Sequence, residues 1–169
     1  MKKLFTLLMF VLVSLGTYAQ HDHKANASHA KDQKSPKFND EKIGTAYMHY
    51  IHLKDALVSS NASEAKKAAS ELEKSLSPVA NGKKATEAAN KIASTAEIKE
   101  QRKIFSSLSN EMTTLVKTSK IASGSLYIEY CPMANNNEGG FWLSNEKEIK
   151  NPYFGDMMLK CGSVKETLK

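Results

Sequence analysis

Between Ile43 and Ser119 the apolar residues of this chain recur at steps of three and four, and the pattern is laid down four times in succession. Such spacing keeps one side of a helix apolar and leaves the rest to water. Ile43, Ala46, Tyr50, Leu53 and Leu57 form the first stripe. Asn61, with Glu64 three residues on, resembles a capping box and opens a second helix in which Ala65, Ala68, Ala69, Leu72 and Leu76 share a face, before Pro78 ends it. Asn81 and Gly82 mark a turn. A shorter Ala-rich helix then runs to about Ser94, with Ala85, Ala88, Ala89 and Ile92 inward. The fourth and longest stripe takes in Ile98, Gln101, Phe105, Leu108, Met112, Leu115 and Ser119 and stops near Gly124. Helices with single apolar faces and short turns can bury those faces only against one another. The pattern therefore predicts a mainly α protein, an antiparallel four-helix bundle.

After Gly124 the period changes to two. Leu126, Ile128 and Tyr130 alternate with Tyr127, Glu129 and Cys131, and Phe141 to Ser144 can pair with them across an Asn/Gly loop, giving a short hairpin-like segment. Asn151 followed by Pro152 suits the start of a helix and Gly162 its stop, so a last short helix is expected over 152–161. The tail, 126–169, belongs with the bundle to one domain, 41–169.

The other end of the chain concerns destination. Lys2 and Lys3, an apolar run from Leu4 to Leu15, and then Gly16, Thr17, Tyr18 and Ala19 make a secretory signal peptide of residues 1–19. Its apolar core is too short to span roughly 30 Å of hydrocarbon. No later stretch is apolar enough to cross a membrane, so the expectation is a soluble exported chain, Gln20 to Lys169, in a bacterial periplasm. Residues 20–40 hold three of the five histidines and almost no large apolar side chain, the composition of a disordered leader. Loss of Lys2 and Lys3 takes the net charge from +6 to +4, spread over alternating lysines and acids, and an exported chain meets no genome; nucleic acid is excluded as a partner.

Sulfur is unevenly distributed. The mature chain holds Met48, Met112, Met133, Met157, Met158, Cys131 and Cys161, and five of these seven fall within the 31 residues 131–161, where even scattering would place one or two. Thiolate with thioether favours Cu(I), while a zinc site would need more Cys or His nearby, and this segment contains no His. Cys131 and Met133 are two apart and project to the same side of an extended strand. Met158 and Met157 lie three and four residues before Cys161, within reach on a helix. Cys131, Met133, Met158 and Cys161 are thus a candidate metal set. The competing account uses two of the same atoms: a Cys131–Cys161 disulfide closing a loop of about 30 residues and contributing roughly 3 to 4 kcal/mol.

"HLKDALVSS", "EIKEQRKIFSSLSNEM" and "LYIEYCPMANNNEGGFWLSNEKEIKNPYFGDMMLKCGSV" together resemble the bacterial family catalogued as domain of unknown function 3347, over roughly Lys42 to Leu168. The resemblance implies an exported helical bundle with a sulfur-bearing tail, occurring alone or appended to periplasmic adaptors of heavy-metal efflux systems. It therefore implies a link to copper or related metals and an efflux adaptor, or another periplasmic protein, as partner. The family's tail pattern falls on Cys131, Met133, Trp142, Asn151, Pro152, Tyr153, Gly155, Met158, Cys161 and Gly162. Met157 stands outside it, which favours Met158 as the ligand.

Secondary candidates lie elsewhere. Cleavage after Gln20 would leave His21, Asp22 and His23, a free amine with an imidazole third in line, a square-planar nitrogen set for Cu(II) or Ni(II). His29 is more distant. On the first helix Met48 and His52 are four apart and point away from the apolar stripe, with His49 at its edge. Trp142 and Tyr153, with Phe141 and Phe154, are expected to wall the tail against the bundle and limit solvent access to a sulfur site. No CxxC, no His beside either Cys and no Ser/His/Asp spacing supports catalysis, so the chain is not expected to be an enzyme. The leading expectation is a periplasmic Cu(I)-binding protein that sequesters the ion or hands it over; the alternative is a metal-free interaction module with a structural Cys131–Cys161 disulfide.

Overall fold

The computed structural model describes residues 35–169. The expected signal peptide, residues 1–19, and the histidines His21, His23 and His29 lie outside the described residues. The described chain is mainly helical, and its C-terminal strands form a sheet.

Four helices follow the four apolar stripes. Helix α1 (Glu41–Val58) starts at Asp40, whose carboxylate accepts from Lys42 N at 2.9 Å. Helix α2 (Ala62–Leu76) starts at Asn61, whose side chain accepts from Glu64 N at 3.0 Å. Only that half of the capping box forms. The Glu64 carboxylate turns instead to His52 Nε2 at 3.1 Å, and Asn61 N–H donates to Ala56 O at 2.9 Å, so both ends of the motif are satisfied elsewhere. Helices α3 (Lys83–Ala93) and α4 (Ile98–Thr118) complete the set. Each helix packs on the next, and α1 also touches α4. Leu53, Leu57, Leu72, Leu76, Phe105 and Leu108 are fully buried, each stabilising the fold by roughly 1.5–3 kcal/mol.

The terminal strands extend the fold beyond those helices. Strand β1 (Lys37–Phe38) pairs antiparallel with β2 (Ile121–Ser123), and Phe38 is buried with its ring 5.3 Å from Tyr47. The leader drawn to residue 40 therefore runs into the folded part: Phe38 supplies the apolar anchor and Asp40 the cap. Strands β3 (Leu126–Cys131), β4 (Gly140–Ser144) and β5 (Ser163–Leu168) form an antiparallel sheet in the order β4-β3-β5. The expected hairpin is its β3–β4 half. The third strand was not expected, because "SVKETL" is an exposed edge with only Val164 and Leu168 apolar, too few for a legible period.

The helix expected over 152–161 does not form. A single 3-10 turn, Gly155–Met158, stands there. Gly155 has φ +57°, which ends a right-handed helix, and a Cβ on it would lie 2.6 Å from both Arg102 Nη2 and Ser60 Oγ. Asn151 works as a turn residue rather than a helix cap: its Oδ1 accepts from Tyr153 N at 2.8 Å and its Nδ2 donates to Cys161 O at 2.7 Å. The sheet is fastened to the helices by Tyr50, whose hydroxyl shares a 2.7 Å hydrogen bond with Ser109 Oγ and accepts from Leu143 N at 3.0 Å. No helix among the described residues is long and apolar enough to cross a membrane.

Candidate metal centre

Cys131 closes β3 opposite Gly140 of β4, and its side chain is fully buried. On the other side of β3, Tyr130 pairs with Ser163, so the chain just before β5 runs past the end of β3 and brings Cys161 beside Cys131. Both cysteines are free thiols. A hydrogen bond with the Cys131 side chain, and then burial, push the Cys161 thiol up to about 11, while the Met133 backbone N–H acts in the opposite sense. Cys161 is held by its own backbone: its N–H donates to Met158 O at 3.0 Å and its carbonyl accepts from Asn151.

Neither cysteine lines the groove that holds the thioethers. Met133, Met157 and Met158 line a single groove of about 1290 Å³ between α4 and the tail. Met133 is 46% exposed and Met157 77% exposed, whereas Met158 is half-buried. The fold thus brings the two thiols near each other at the end of β3 and the three thioethers together along one groove. The loop between β3 and β4 shapes the groove's far side. Asn135, Asn136 and Asn137 take φ values of 52°, 58° and 71°, a left-handed run that Asn tolerates and branched residues do not. Asn135 Nδ2 ties that loop to Ser106 of α4 at 3.0 Å and to Gly139 O at 2.9 Å.

Arg102 sets the opposite wall. Its guanidinium donates to Pro152 O at 2.9 Å, Leu57 O at 2.9 Å and Ser60 Oγ at 2.8 Å, joining α4, the α1–α2 turn and the methionine-bearing turn. Burial lowers its pKa. Sequence reasoning missed this residue because its partners, two backbone carbonyls and a serine hydroxyl, lie far away along the chain, which no spacing reveals.

Trp142 and Tyr153 do form a wall. Both are buried, edge to face at 6.0 Å, and Tyr153 donates its hydroxyl to Phe141 O at 2.6 Å. Phe154 is half-buried. Phe141 departs from the expectation: its ring pairs with Tyr130 at 4.5 Å and is 38% exposed. Across β3–β4 from Trp142 sits Glu129, fully buried. Neither its carboxylate oxygens nor the Trp142 indole N–H meets a partner in good hydrogen-bonding geometry. Burial pushes the Glu129 carboxyl up to about 8, against the opposing pull of the nearby indole N–H and then Lys54.

The secondary candidates on α1 are placed differently. Met48 is exposed, and His52 is paired with Glu64 of α2; neither lines the methionine groove. Among the described residues no group of three or more His, Cys, Asp or Glu side chains could hold a metal ion.

Residues 46–124 match the family described as Protein of unknown function (DUF3347). The match is narrower than the 42–168 expected, and it ends before β3, so none of the tail sulfurs lies inside it. No curated protein matches the chain, and no solved structure does.

Proposed function

We propose, for a chain whose residues 46–124 belong to the DUF3347 family, that it is a non-enzymatic periplasmic protein that binds Cu(I) in its C-terminal tail. In this proposal the signal peptide directs export, the helices form an antiparallel four-helix bundle serving as a rigid support, and the partner is a heavy-metal efflux adaptor or another periplasmic protein. The observation that carries it is the meeting of Cys131 and Cys161 beside a groove lined by Met133 and Met158.

Cys131 and Cys161 would supply the charged ligands and Met133 and Met158 neutral ones. Cu(I) bound there would take no part in a reaction; its chemistry is thiolate and thioether ligation. Each thiol gives up its proton to serve as a ligand, so uptake weakens as pH falls. Buried Trp142 and Tyr153 keep water from the Cys131 side, which protects the reduced state of both thiol and ion.

A competition titration of the full chain with a chromophoric Cu(I) chelator tests this. One ion per chain is expected, with affinity lowered roughly tenfold or more by Met158→Leu and further by Cys131→Ala. Absence of uptake removes the proposal. The nearness of the two thiols also favours the second reading, a Cys131–Cys161 disulfide fastening β5 to β3 in a metal-free interaction module. No free thiol in protein purified without reductant, and a mass unchanged by chelators, would support that reading.

A further inference from the structure

Exposure falls from the methionines of the groove toward the two cysteines, which do not line it. Met157 is 77% exposed on the 3-10 turn, Met158 beside it is half-buried, Cys161 three residues on is half-buried, and Cys131 is fully buried. A single exposed apolar residue is ordinary. Here two of the four exposed large apolar side chains, Met133 and Met157, line the same groove, and both are unbranched thioethers. Leaving a Met in water forgoes most of the roughly 1.5–3 kcal/mol that burial would contribute, so core filling does not account for Met157.

The turn that presents Met157 is fixed. Gly155 donates its N–H to Asn151 O at 3.0 Å and lies against Arg102, so the thioether stands at a set position while its own three side-chain torsions stay free. Around it the groove offers amides from Asn136 and Asn137, positive charge from Lys99, Arg102 and Lys103, and carboxylates from Glu100 and Glu138. Neutral sulfur that exchanges ligands quickly is the donor suited to receiving a soft ion already carried by another ligand.

We infer that the Met133–Met157–Met158 groove is an entry path for Cu(I), and that Met157 is the residue that first captures the ion and passes it inward toward Met158 and the thiols. This rests on the Cu(I) reading of the tail, but it assigns Met157 a role in the rate of loading rather than in final affinity. Transfer is ligand exchange without change of oxidation state: a sulfur lone pair of Met157 replaces a donor of the incoming complex, then Met158 and Cys161 replace Met157, and the thiol proton leaves to solvent.

The test uses the full chain and Met157→Leu, which preserves size at an exposed position and leaves folding intact. Stopped-flow transfer of Cu(I) from its bicinchoninate complex is measured together with equilibrium affinity. The expected result is a transfer rate roughly tenfold lower in the variant with affinity nearly unchanged. An unchanged rate overturns the inference, and so does a rate loss fully matched by loss of affinity, which would make Met157 a resident ligand. The methionine methyl resonances of the wild-type chain, followed during addition of Ag(I) as a redox-inert probe, separate this inference from the reading beneath it. A shift of the Met157 methyl with both thiols still open to alkylation would retain the groove and remove the thiol site. Thiols protected by metal while the Met157 methyl stays still would do the reverse.

Discussion

The helical layer and the tail are stabilised in different ways. In α1–α4 the core is redundant: Ala46, Leu53, Leu57, Ala65, Leu72, Leu76, Leu108 and Met112 contribute small, similar amounts through interchangeable apolar contact. In the tail, single groups do single jobs. Asn151 bonds Cys161 O across the turn before it, Gly155 permits the methionine-bearing turn, and Arg102 ties that segment to the helices through Pro152 O and Leu57 O. A region built by repetition tolerates drift, whereas one built from unique contacts fixes positions to fractions of an ångström, and the sulfurs sit in the second kind.

The largest test of this contrast is Phe105→Ala. Phe105 is fully buried between Tyr50 and Tyr153, with ring centroids at 5.5 and 5.8 Å, so it belongs to both regions. Its loss should cost about 3–5 kcal/mol in chemical denaturation. Hydrogen exchange should then show helices and tail loosening together; protection lost in only one of them would separate the two regions more sharply than drawn here.

Glu129→Gln comes next and has the opposite sign. A carboxyl raised to about 8 in the folded chain, against an ordinary value of 4.5, binds its proton more tightly folded than unfolded. Its contribution to stability is fully present below the ordinary value and is lost as pH rises toward the folded one. Glutamine keeps the shape without the charge, so the variant should be more stable by up to about 3 kcal/mol near pH 7 and should lose that decline with pH. Thermal melts across that range check it, and parallel curves for the two proteins would show that Glu129 finds a partner when ionised.

Gly140→Ala acts on the tail alone. A Cβ there would come within 2.6 Å of the Tyr153 ring and 3.0 Å of Ala134 Cβ, beside Cys131. The expected cost is about 1–3 kcal/mol, read as faster exchange at β4 and the β3–β4 loop with α2 and α3 unchanged. If α2 and α3 loosen equally, the regions fold as a single unit.

The same division explains what could be read from the chain. The stripes Ile43–Leu57 and Ala65–Leu76 announce their helices because each buried position repeats the message of its neighbours. Tyr47 and Lys54 escaped notice. Tyr47 is polar at its tip and bonds Asn145 at 2.8 Å, and Lys54 is buried only because Asp55 meets its ammonium at 2.6 Å and Glu129 lies near. In the tail, β3 and β4 were legible from alternation, but β5 exposes most of its side chains and carries no such period. Spacing could suggest that Cys131 and Cys161 belong together. Only the third strand explains how: the meeting depends on β5 pairing with β3, whereas the expected last helix would have placed Cys161 by another route.

Arg102 has a consequence for how movement is shared. A planar guanidinium with three acceptors cannot follow one of them without pulling on the others, and here the acceptors sit on the α1–α2 turn at Leu57 and Ser60 and on the methionine-bearing segment at Pro152. The two turns are more than ninety positions apart in sequence, yet they are mechanically one joint. A displacement imposed at Ser60 on the helical side is delivered to the backbone that leads to Met157 and Met158.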